Sequence, residues 1–170
     1  MHLALFQEKL SGRKVRCRLC NHYCIIEDGE RGICKVRINK DGQLYSLVYE
    51  NLVARNIDPI EKKPFFHFLP GSTSFSISTS GCNFKCKFCQ NFEISQVSSN
   101  YQPYGVDIGA TEIVRLAKKY NCKSISYTYT EPTVFFEYAY ECAVLAKKAG
   151  LRNNFVTNGY MSNEALQKIA

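Results

Sequence analysis

The chain has 170 residues, of which 45% are hydrophobic and 22% are charged, a composition typical of a folded globular domain rather than of a disordered or fibrous protein. Its apolar runs are too short to cross a bilayer, and the N-terminal residues 1–6 lack the length and cleavage site of a secretory signal. The sequence therefore predicts a cytoplasmic protein that does not contact a membrane.

The net charge of +7 is concentrated in residues 1–40, which hold nine Lys or Arg and four Asp or Glu. Such a basic segment indicates nucleic acid, an acidic partner protein, or simply a solvated face beside anionic metal–thiolate groups. No aromatic-and-basic recognition motif accompanies the charge. The sequence therefore favours the solvated face over nucleic-acid binding.

Four cysteines fall close together near the N-terminus, at Cys17, Cys20, Cys24 and Cys34. Because the chain lacks a secretory signal, this density indicates metal or redox chemistry rather than disulfides. We predict that the four thiols form a metal site, for zinc or for an iron–sulfur cluster, with His22 as a spare ligand. The alternative is a set of free, reduced thiols. So polar a segment is expected to need the metal to fold.

A hairpin and then a proline-rich loop are predicted between residues 36 and 73. Asp41-Gly42 lies between two apolar runs, residues 36–38 and 44–49, which is a typical signal of a hairpin. Three prolines then interrupt the chain and predict a wrapping loop: Pro59, Pro64 and Pro70. We therefore assign residues 1–73 to a Cys-rich, metal-binding N-terminal segment.

From residue 74 the sequence alternates between strand-like and helix-like segments. Strands are predicted at residues 75–79, 124–130 and 154–157, where alternating apolar, β-branched and aromatic residues are concentrated. Apolar residues at helical spacing predict two helices, at residues 113–120 and 135–146, the second ending near Gly150. Ser162 is expected to cap a third helix.

Strand–helix repeats of this length imply parallel strands, and three such units are too few to close an eight-stranded barrel. The expected fold is α/β. Residues 74–170 would be the N-terminal part of a partial TIM-type barrel, preceded by the small Cys-rich segment with its hairpin. Since no cap follows the last predicted helix, we expect the chain to be the front part of a longer enzyme.

The most informative motif begins where the first of these strands ends, at Cys82-x3-Cys86-x2-Cys89. Three thiolates on one loop, without a fourth cysteine nearby, suit a [4Fe–4S] cluster in which one iron keeps an open position. The alternative is a zinc ion with a distant fourth ligand, although zinc sites usually pair their cysteines as C-x2-C. The two remaining cysteines, Cys122 and Cys142, are expected to be small core residues.

This cysteine loop, with Phe88 directly before its last cysteine, resembles the radical S-adenosylmethionine superfamily. The resemblance implies that S-adenosylmethionine binds the open iron. It also implies that reductive cleavage gives a 5′-deoxyadenosyl radical, which abstracts hydrogen from a substrate. An electron donor such as ferredoxin or flavodoxin would supply the electron. Phe84 and Phe88 are expected either to limit the access of water to the cluster or to be ordinary core residues.

Two further loops follow the second and third predicted strands. Tyr129, Thr130 and Glu131 occupy the position where the superfamily commonly has Gly-Gly-Glu, which binds the amino group of S-adenosylmethionine. Glu131 keeps an acceptor for that ammonium, although a Glu here is also typical of a helix N-terminus. Thr157 and Asn158 are expected to line the same cofactor, or else to form an ordinary turn. All three loops follow the C-terminal ends of strands, where α/β sheets bind ligands.

Further motifs are similar to one group of this superfamily, the AmmeMemoRadiSam system radical SAM enzymes, relatives of the pyruvate formate-lyase activating enzymes. They are Cys17–Cys20, Gly32–Arg37, Asp58–Pro64, Phe66–Gly71, Cys89–Asn91 and Tyr127–Phe136. The resemblance implies an iron-dependent oxidoreductase acting on an unidentified substrate. The alternatives are a glycyl-radical activase with a protein substrate, a non-catalytic zinc or iron–sulfur protein, and an inactive fragment.

Overall fold

The computed structural model describes residues 1–170 as eleven strands and four α-helices. The strands are His2–Leu3 (β1), Gln7–Lys9 (β2), Val15–Cys17 (β3), Ile25–Ile26 (β4), Arg37–Lys40 (β5), Gln43–Ser46 (β6), Asn51–Pro59 (β7), Thr73–Thr79 (β8), Val106–Asp107 (β9), Ser124–Tyr127 (β10) and Arg152–Phe155 (β11). The helices are Phe92–Ser95 (α1), Ala110–Lys119 (α2), Phe136–Lys148 (α3) and Asn163–Ile169 (α4). The chain is therefore a mixed α/β protein.

A five-stranded sheet in the order β11–β10–β8–β7–β9 forms the largest layer of the molecule. β8, β10 and β11 are parallel, with Ile125 of β10 paired with Phe75 of β8 and Asn153 of β11. This parallel order confirms what the strand–helix alternation predicts. The sheet is open, with β11 and β9 at its edges, and it does not close into a barrel.

Strand β7 is an element that the sequence analysis does not predict. It runs antiparallel to β8, with Leu52 paired with Thr79 at one end and Pro59 with Thr73 at the other. Pro59 is the last residue of the strand, so it ends the strand rather than interrupting it. Because β7 precedes residue 73 and β8 begins at it, one sheet crosses the predicted boundary. The division at that residue remains a prediction.

Helices α2 and α3 pack against the sheet in one cluster of buried side chains. The cluster includes Phe75, Ile77, Ile113, Ala117, Ile125, Tyr127, Ala139 and Ala146. Cys122 and Cys142 are 3% and 0% exposed within it, which confirms both as core residues. Gly150 follows α3 with a φ of 80°, the left-handed conformation predicted for a helix end. None of the helices is long and apolar enough to span a membrane.

Two small antiparallel sheets, β1–β6–β5 and β2–β3–β4, are formed by residues that precede the large sheet. The predicted hairpin is present as β5 and β6. Its turn residues, Asp41 and Gly42, have φ angles of 54° and 74°, as a two-residue type I′ turn requires. A second cluster of buried side chains joins Val15, Leu19 and Leu44 to Phe136 and Met161. The first residues of the chain are therefore packed against α3 and the start of α4.

A buried ion pair attaches the hairpin to helix α3. Arg37 Nη1 and Nη2 donate to the Glu137 carboxylate at 2.9 and 2.8 Å, and the Leu5 N–H donates to it at 2.9 Å. Burial by itself would lower the pKa of Arg37, but the charge and hydrogen bonds of Glu137 and the nearby thiols of Cys17 and Cys34 together outweigh burial and raise it. Burial likewise opposes ionisation of Glu137, while Arg37 lowers its pKa. Both groups therefore remain charged inside the protein.

Other basic residues of the N-terminal segment are also paired with carboxylates. The pairs are Lys14–Glu27 at 2.6 Å, Arg16–Glu8 at 3.0 Å, Arg13–Asp41 at 3.5 Å, and Arg18–Glu164. Each pair neutralises part of the positive charge of residues 1–40. The solvated basic face remains a prediction.

The second and third parallel strands end earlier than the sequence predicts. β10 ends at Tyr127 instead of residue 130, and β11 covers residues 152–155 instead of 154–157. The start of β11 is polar and carries no strand signal, but Asn154 is buried and its amide donates to Ser126 Oγ at 3.4 Å. The early ends leave the residues that follow each strand free to form loops.

Candidate functional site

A cavity of about 630 Å³ opens at the C-terminal ends of β8, β10 and β11. It is lined by all eight residues predicted for the cluster and its cofactor: Cys82, Cys86, Cys89, Tyr129, Thr130, Glu131, Thr157 and Asn158. The fold thus brings three loops that are far apart in sequence to one edge of the sheet, where α/β sheets bind ligands. The volume lies in the range of cofactor sites.

The cysteine loop leaves β8 through Gly81, whose conformation and surroundings both require glycine. Its φ is 97°, and a Cβ at this position would lie 2.7 Å from Val36 Cγ1 and 3.1 Å from the Cys34 carbonyl oxygen. The loop returns through α1, where the Gly81 N–H donates to Ile94 O at 2.9 Å. The loop is therefore held between the hairpin segment and α1.

Two of the three thiols have polar contacts within their own loop. The Phe84 N–H donates to Cys82 Sγ at 3.3 Å, and Ser95 Oγ lies 3.3 Å from Cys89 Sγ. Burial raises the pKa of Cys82; the Phe84 N–H opposes this effect and the charge of Glu131 adds to it. An N–H donor to sulfur favours the thiolate, which is the form that binds a metal.

The two aromatic residues of the loop differ in exposure. Phe84 lines the cavity and packs against Tyr160, with 5.1 Å between ring centroids. Phe88 is 91% exposed, so the expectation that it limits water is wrong. It lies between two cysteines at the outer side of the loop, next to the exposed Cys86 and Lys87, where no other side chain covers it. Only Phe84 shields the cavity.

Glu131 connects the loops that follow β10 and β11. It is 3% exposed, and its Oε1 accepts hydrogen bonds from Thr133 N at 3.0 Å, Thr133 Oγ1 at 2.5 Å and Thr157 Oγ1 at 2.6 Å. Its Oε2 accepts one hydrogen bond, from Asn158 N at 2.7 Å, and therefore keeps a lone pair. The bond from Thr133 N also makes Glu131 the cap of a short 3-10 turn at Pro132–Phe135. Glu131 thus caps the N-terminus of this turn and also lines the cavity.

Tyr129 has a φ of 66°, in the left-handed region that glycine adopts at lower cost. This is the position where the superfamily commonly has glycine. Its carbonyl oxygen accepts a hydrogen bond from Asn91 Nδ2 at 2.8 Å, which ties the cysteine loop to the loop after β10. Its hydroxyl donates to Asp58. Asn91 also lines the cavity, and it lies in a motif that the sequence analysis quotes without assigning it a role.

A charged cluster of Asp58, Lys62 and Lys63 lies beside the cavity, and its two lysines form part of the cavity wall. Lys62 Nζ lies 2.8 Å and Lys63 Nζ 2.6 Å from the Asp58 carboxylate, and Lys63 also lies 4.4 Å from the ring centroid of Tyr129. Burial opposes ionisation of Asp58, but the two lysines and the Tyr129 hydroxyl hold its pKa well below the usual range. The sequence analysis misses this cluster, although its residues lie in the Asp58–Pro64 motif.

The four N-terminal cysteines line a second, much smaller cavity of about 20 Å³: Cys17, Cys20, Cys24 and Cys34. Burial raises the pKa of Cys34 to about 12, and the nearby thiols of Cys17 and Cys20 add to the rise. His22, the predicted spare ligand, lines the same cavity, and its Nε2 lies within hydrogen-bonding distance of Asn83 O, at 2.9 Å. The four thiols therefore meet beside the cysteine loop of the larger cavity.

No group of three or more His, Cys, Asp or Glu side chains in the structure is arranged to hold a metal ion. Either set of thiols would have to draw its sulfurs to coordination distance, which is about 2.3 Å for zinc–thiolate bonds. The metal group that fits each cavity therefore depends on the number and kind of donors that line it. Three thiols in a large cavity suit an iron–sulfur cluster with an open position.

The fold and the cavity place the chain among α/β proteins with an open, partly parallel sheet and a cysteine-lined cavity at the C-terminal ends of the parallel strands, the edge where such sheets bind ligands. The radical SAM superfamily matches residues 76–170, which include the second half of β8, all of β10 and β11, and the three loops of the larger cavity. The chain belongs to the radical SAM superfamily. Membership implies a [4Fe–4S] cluster, S-adenosylmethionine and a reductant.

Two proteins of Methanocaldococcus jannaschii are similar to the chain. The uncharacterized protein MJ0808 is 47% identical over 169 residues, which are 99% of the chain and 50% of that protein. The uncharacterized protein MJ0674 is 34% identical over 82 residues, which are 48% of the chain and 19% of that protein. The chain thus spans about half the length of the first relative. No solved structure matches it. Neither name states an activity, so the comparisons identify the superfamily and no narrower family.

Proposed function

We propose that this chain holds a [4Fe–4S] cluster at Cys82, Cys86 and Cys89 and takes part in the reductive cleavage of S-adenosylmethionine. The observation that carries the proposal is the single cavity of about 630 Å³ that these thiols share with Glu131 and Asn158. When bound, the cluster and S-adenosylmethionine supply an adenosyl radical that removes hydrogen from a substrate. The protein's own part is to bind, orient and shield them.

On the cluster side, the loop contributes three thiolates and leaves one iron open to a further ligand. The Phe84 N–H and the Ser95 hydroxyl, each 3.3 Å from a sulfur, would adjust the charge on the thiolates. Contacts of this kind tune the reduction potential of a cluster. Phe84, packed against Tyr160, excludes water from one side.

On the cofactor side, the free lone pair of Glu131 Oε2 would accept a hydrogen bond from the ammonium of S-adenosylmethionine. Thr157 and Asn158 hold this carboxylate in place through their hydroxyl and backbone N–H. Thr130 Oγ1 donates to Thr79 O at 2.8 Å and so anchors the loop to the end of β8. Tyr129 would shape the wall with its left-handed backbone.

The finer assignment is to the AmmeMemoRadiSam system radical SAM enzymes, supported by the motifs that extend from Cys17 through Tyr127–Phe136. In this proposal the three parallel strands are the first units of a partial TIM-type barrel. Residues 74–170 form its core and residues 1–73 a metal-binding segment. A ferredoxin or flavodoxin would be the electron donor, and the substrate is a small molecule or a protein.

The test is anaerobic reconstitution followed by iron and sulfide analysis and EPR of the reduced chain, with and without S-adenosylmethionine. We expect about four irons per chain and a spectrum that shifts when S-adenosylmethionine is added. Cys82→Ala should lose these irons, whereas Cys122→Ala, a buried cysteine outside both cavities, should keep them. The proposal would be overturned if zinc in place of iron were bound at Cys82. It would also be overturned if S-adenosylmethionine left the EPR spectrum unchanged.

A further inference from the structure

The small cavity of the N-terminal segment contains four thiols and two hydrogen-bond donors without partners. Cys17, Cys20, Cys24 and Cys34 line it together with Arg37 and Asn83. Arg37 and Asn83 are 1% and 2% exposed, and neither Arg37 Nε nor Asn83 Nδ2 has a hydrogen-bond partner. The other two side-chain nitrogens of Arg37, Nη1 and Nη2, donate to Glu137, so only Nε lacks an acceptor.

Two unpaired buried donors in one cavity require an explanation, because a buried donor without an acceptor destabilises the fold. A neutral thiol is a poor acceptor, whereas a thiolate is a charged one. The donors are therefore explained if the cysteines around them are thiolates. Four thiolates in so small a space repel one another unless a cation neutralises them.

We infer that Cys17, Cys20, Cys24 and Cys34 bind a single zinc ion, with Arg37 Nε and Asn83 Nδ2 donating hydrogen bonds to the thiolates. Four cysteines are a common ligand set for structural zinc. The cavity volume of about 20 Å³ is close to that of one water-sized sphere, which suits a single ion. Binding draws the sulfurs inward onto the ion.

The zinc site would also support the larger cavity, and this part of the inference rests on the proposed function. Asn83 directly follows Cys82, and its Oδ1 accepts a hydrogen bond from Asn158 Nδ2 at 2.8 Å. The carbonyl oxygen of Asn83 lies 2.9 Å from His22 Nε2, within hydrogen-bonding distance. One asparagine thus contacts the cluster loop, the proposed cofactor loop and the zinc segment. Asn83 is a positioning residue.

The first test measures zinc in the purified full chain by mass spectrometry. We expect one zinc per chain, its loss in Cys20→Ser, and its retention in Cys122→Ser. Cys82→Ala should also keep zinc, so a failed zinc site and a failed cluster give different results. Three results would each overturn the inference. They are the absence of zinc from the wild-type chain, its retention in Cys20→Ser, and the presence of iron and sulfide at these four cysteines.

A second measurement uses only the wild-type chain, so that poor folding of a variant cannot obscure the result. Cobalt(II) added to the metal-free chain should give the strong thiolate-to-metal absorption of a tetrahedral four-sulfur site, and one equivalent of zinc should abolish it. A spectrum without sulfur-to-cobalt absorption would contradict four-thiolate binding.

A third measurement tests one of the two donors, Asn83. Asn83→Ala should weaken zinc binding about 10–100-fold, the usual effect of removing a group that hydrogen-bonds a metal ligand. The control is Asn154→Ala, another buried asparagine, whose amide contacts Ser126 away from the thiols. Equal zinc affinity in the Asn83 variant and the wild-type chain would show that Asn83 does not contact a thiolate.

Discussion

Glu131 accepts four hydrogen bonds from two loops, so its carboxylate should contribute both to stability and to binding. Glu131→Gln replaces one acceptor oxygen by an NH2 group that faces other donors. We expect the free energy of unfolding to fall by about 1–3 kcal/mol, the cost of an unsatisfied buried group. Affinity for S-adenosylmethionine should fall at least about tenfold, since a charge-assisted hydrogen bond is worth that much. Urea unfolding and equilibrium binding to the reconstituted chain measure the two effects.

The matched control for this change is Glu112→Gln on helix α2. Glu112 pairs with Arg115 at 2.5 Å, but both side chains are exposed. Exposed pairs contribute about 0–1 kcal/mol, so the control should lose little stability and no affinity. If the Glu131 and Glu112 variants unfold at the same urea concentration, the carboxylate of Glu131 does not hold the two loops together.

Asp58 should make the protein less stable in acid. Its pKa is held well below the value of about 3.9 in an unfolded chain, since it faces Lys62, Lys63 and the Tyr129 hydroxyl. A carboxyl group with a lowered folded pKa stabilises the fold above its unfolded pKa, and this stability is lost as pH falls towards the folded pKa. We expect the free energy of unfolding to decline below about pH 4.

Urea titrations at several pH values measure this decline. Asp58→Asn should be less stable at pH 7 and should show a shallower decline below about pH 4 than the wild-type chain. Asp41→Asn is the control, because Asp41 is 76% exposed and lies 3.5 Å from Arg13. Its pH dependence should follow that of the wild type. An unchanged slope in Asp58→Asn would mean that another carboxylate causes the decline.

Residues with distinctive chemistry were predictable from the sequence, and residues that act through tertiary contacts were not. The three loop cysteines and Glu131 could be singled out because their spacing and residue type are typical of few other functions. Asn83 and Lys63 carry no such signal. Their roles come from hydrogen bonds to residues 75 and 5 positions away, which only the folded chain brings together.

At the scale of elements, the turn from β8 into the cysteine loop should tolerate no side chain at Gly81. Gly81→Ala combines a left-handed backbone, which costs about 1–2 kcal/mol, with a Cβ 2.7 Å from Val36. Overpacking adds about 1–3 kcal/mol. We expect a lower melting temperature and less than half the wild-type iron after reconstitution, because the loop has to shift.

Gly150→Ala provides the comparison for this turn. Gly150 has a φ of 80°, but a Cβ there would meet nothing within 4 Å. Only the backbone cost of about 1–2 kcal/mol applies, so stability should fall moderately and iron uptake should stay complete. Normal iron in Gly81→Ala would show that the loop adapts to the extra methyl group.

Helices and strands were predictable where the local pattern agrees with the fold. α2 and α3 have apolar residues at helical spacing, and the β5–β6 turn has the Asp-Gly pair that its backbone requires. β7 and the start of β11 have no such pattern, since they contain Asn, Arg and Asp. Their places in the sheet depend on hydrogen bonds to neighbouring strands.

For the whole molecule, the ion pair between Arg37 and Glu137 should be a major connection between the hairpin and α3. Both side chains are about 97–98% buried, so Glu137→Leu leaves an uncompensated charge. We expect a loss of about 3–5 kcal/mol in the free energy of unfolding. Chemical denaturation measures it. Glu112→Leu, which removes an exposed pair on α2, should cost far less.

If the Glu137 variant is no less stable than the Glu112 variant, packing rather than charge joins the hairpin to the helix. The second cluster of buried side chains, around Leu19, Phe136 and Met161, would then be the main connection. Leu19→Ala should in that case cost about 2–5 kcal/mol, the usual range for a buried leucine.

The contact between Asn21 and Met161 has a consequence for synthesis of the protein. The Asn21 amide donates to a carbonyl 140 residues further along the chain. At about 5–20 residues per second, the ribosome adds those residues over about 7–28 seconds. During that interval the N-terminal thiols have emerged without the residues that later pack against them. They are therefore open to oxidants and to competing metals until the residues around Met161, which pack against them, have been made.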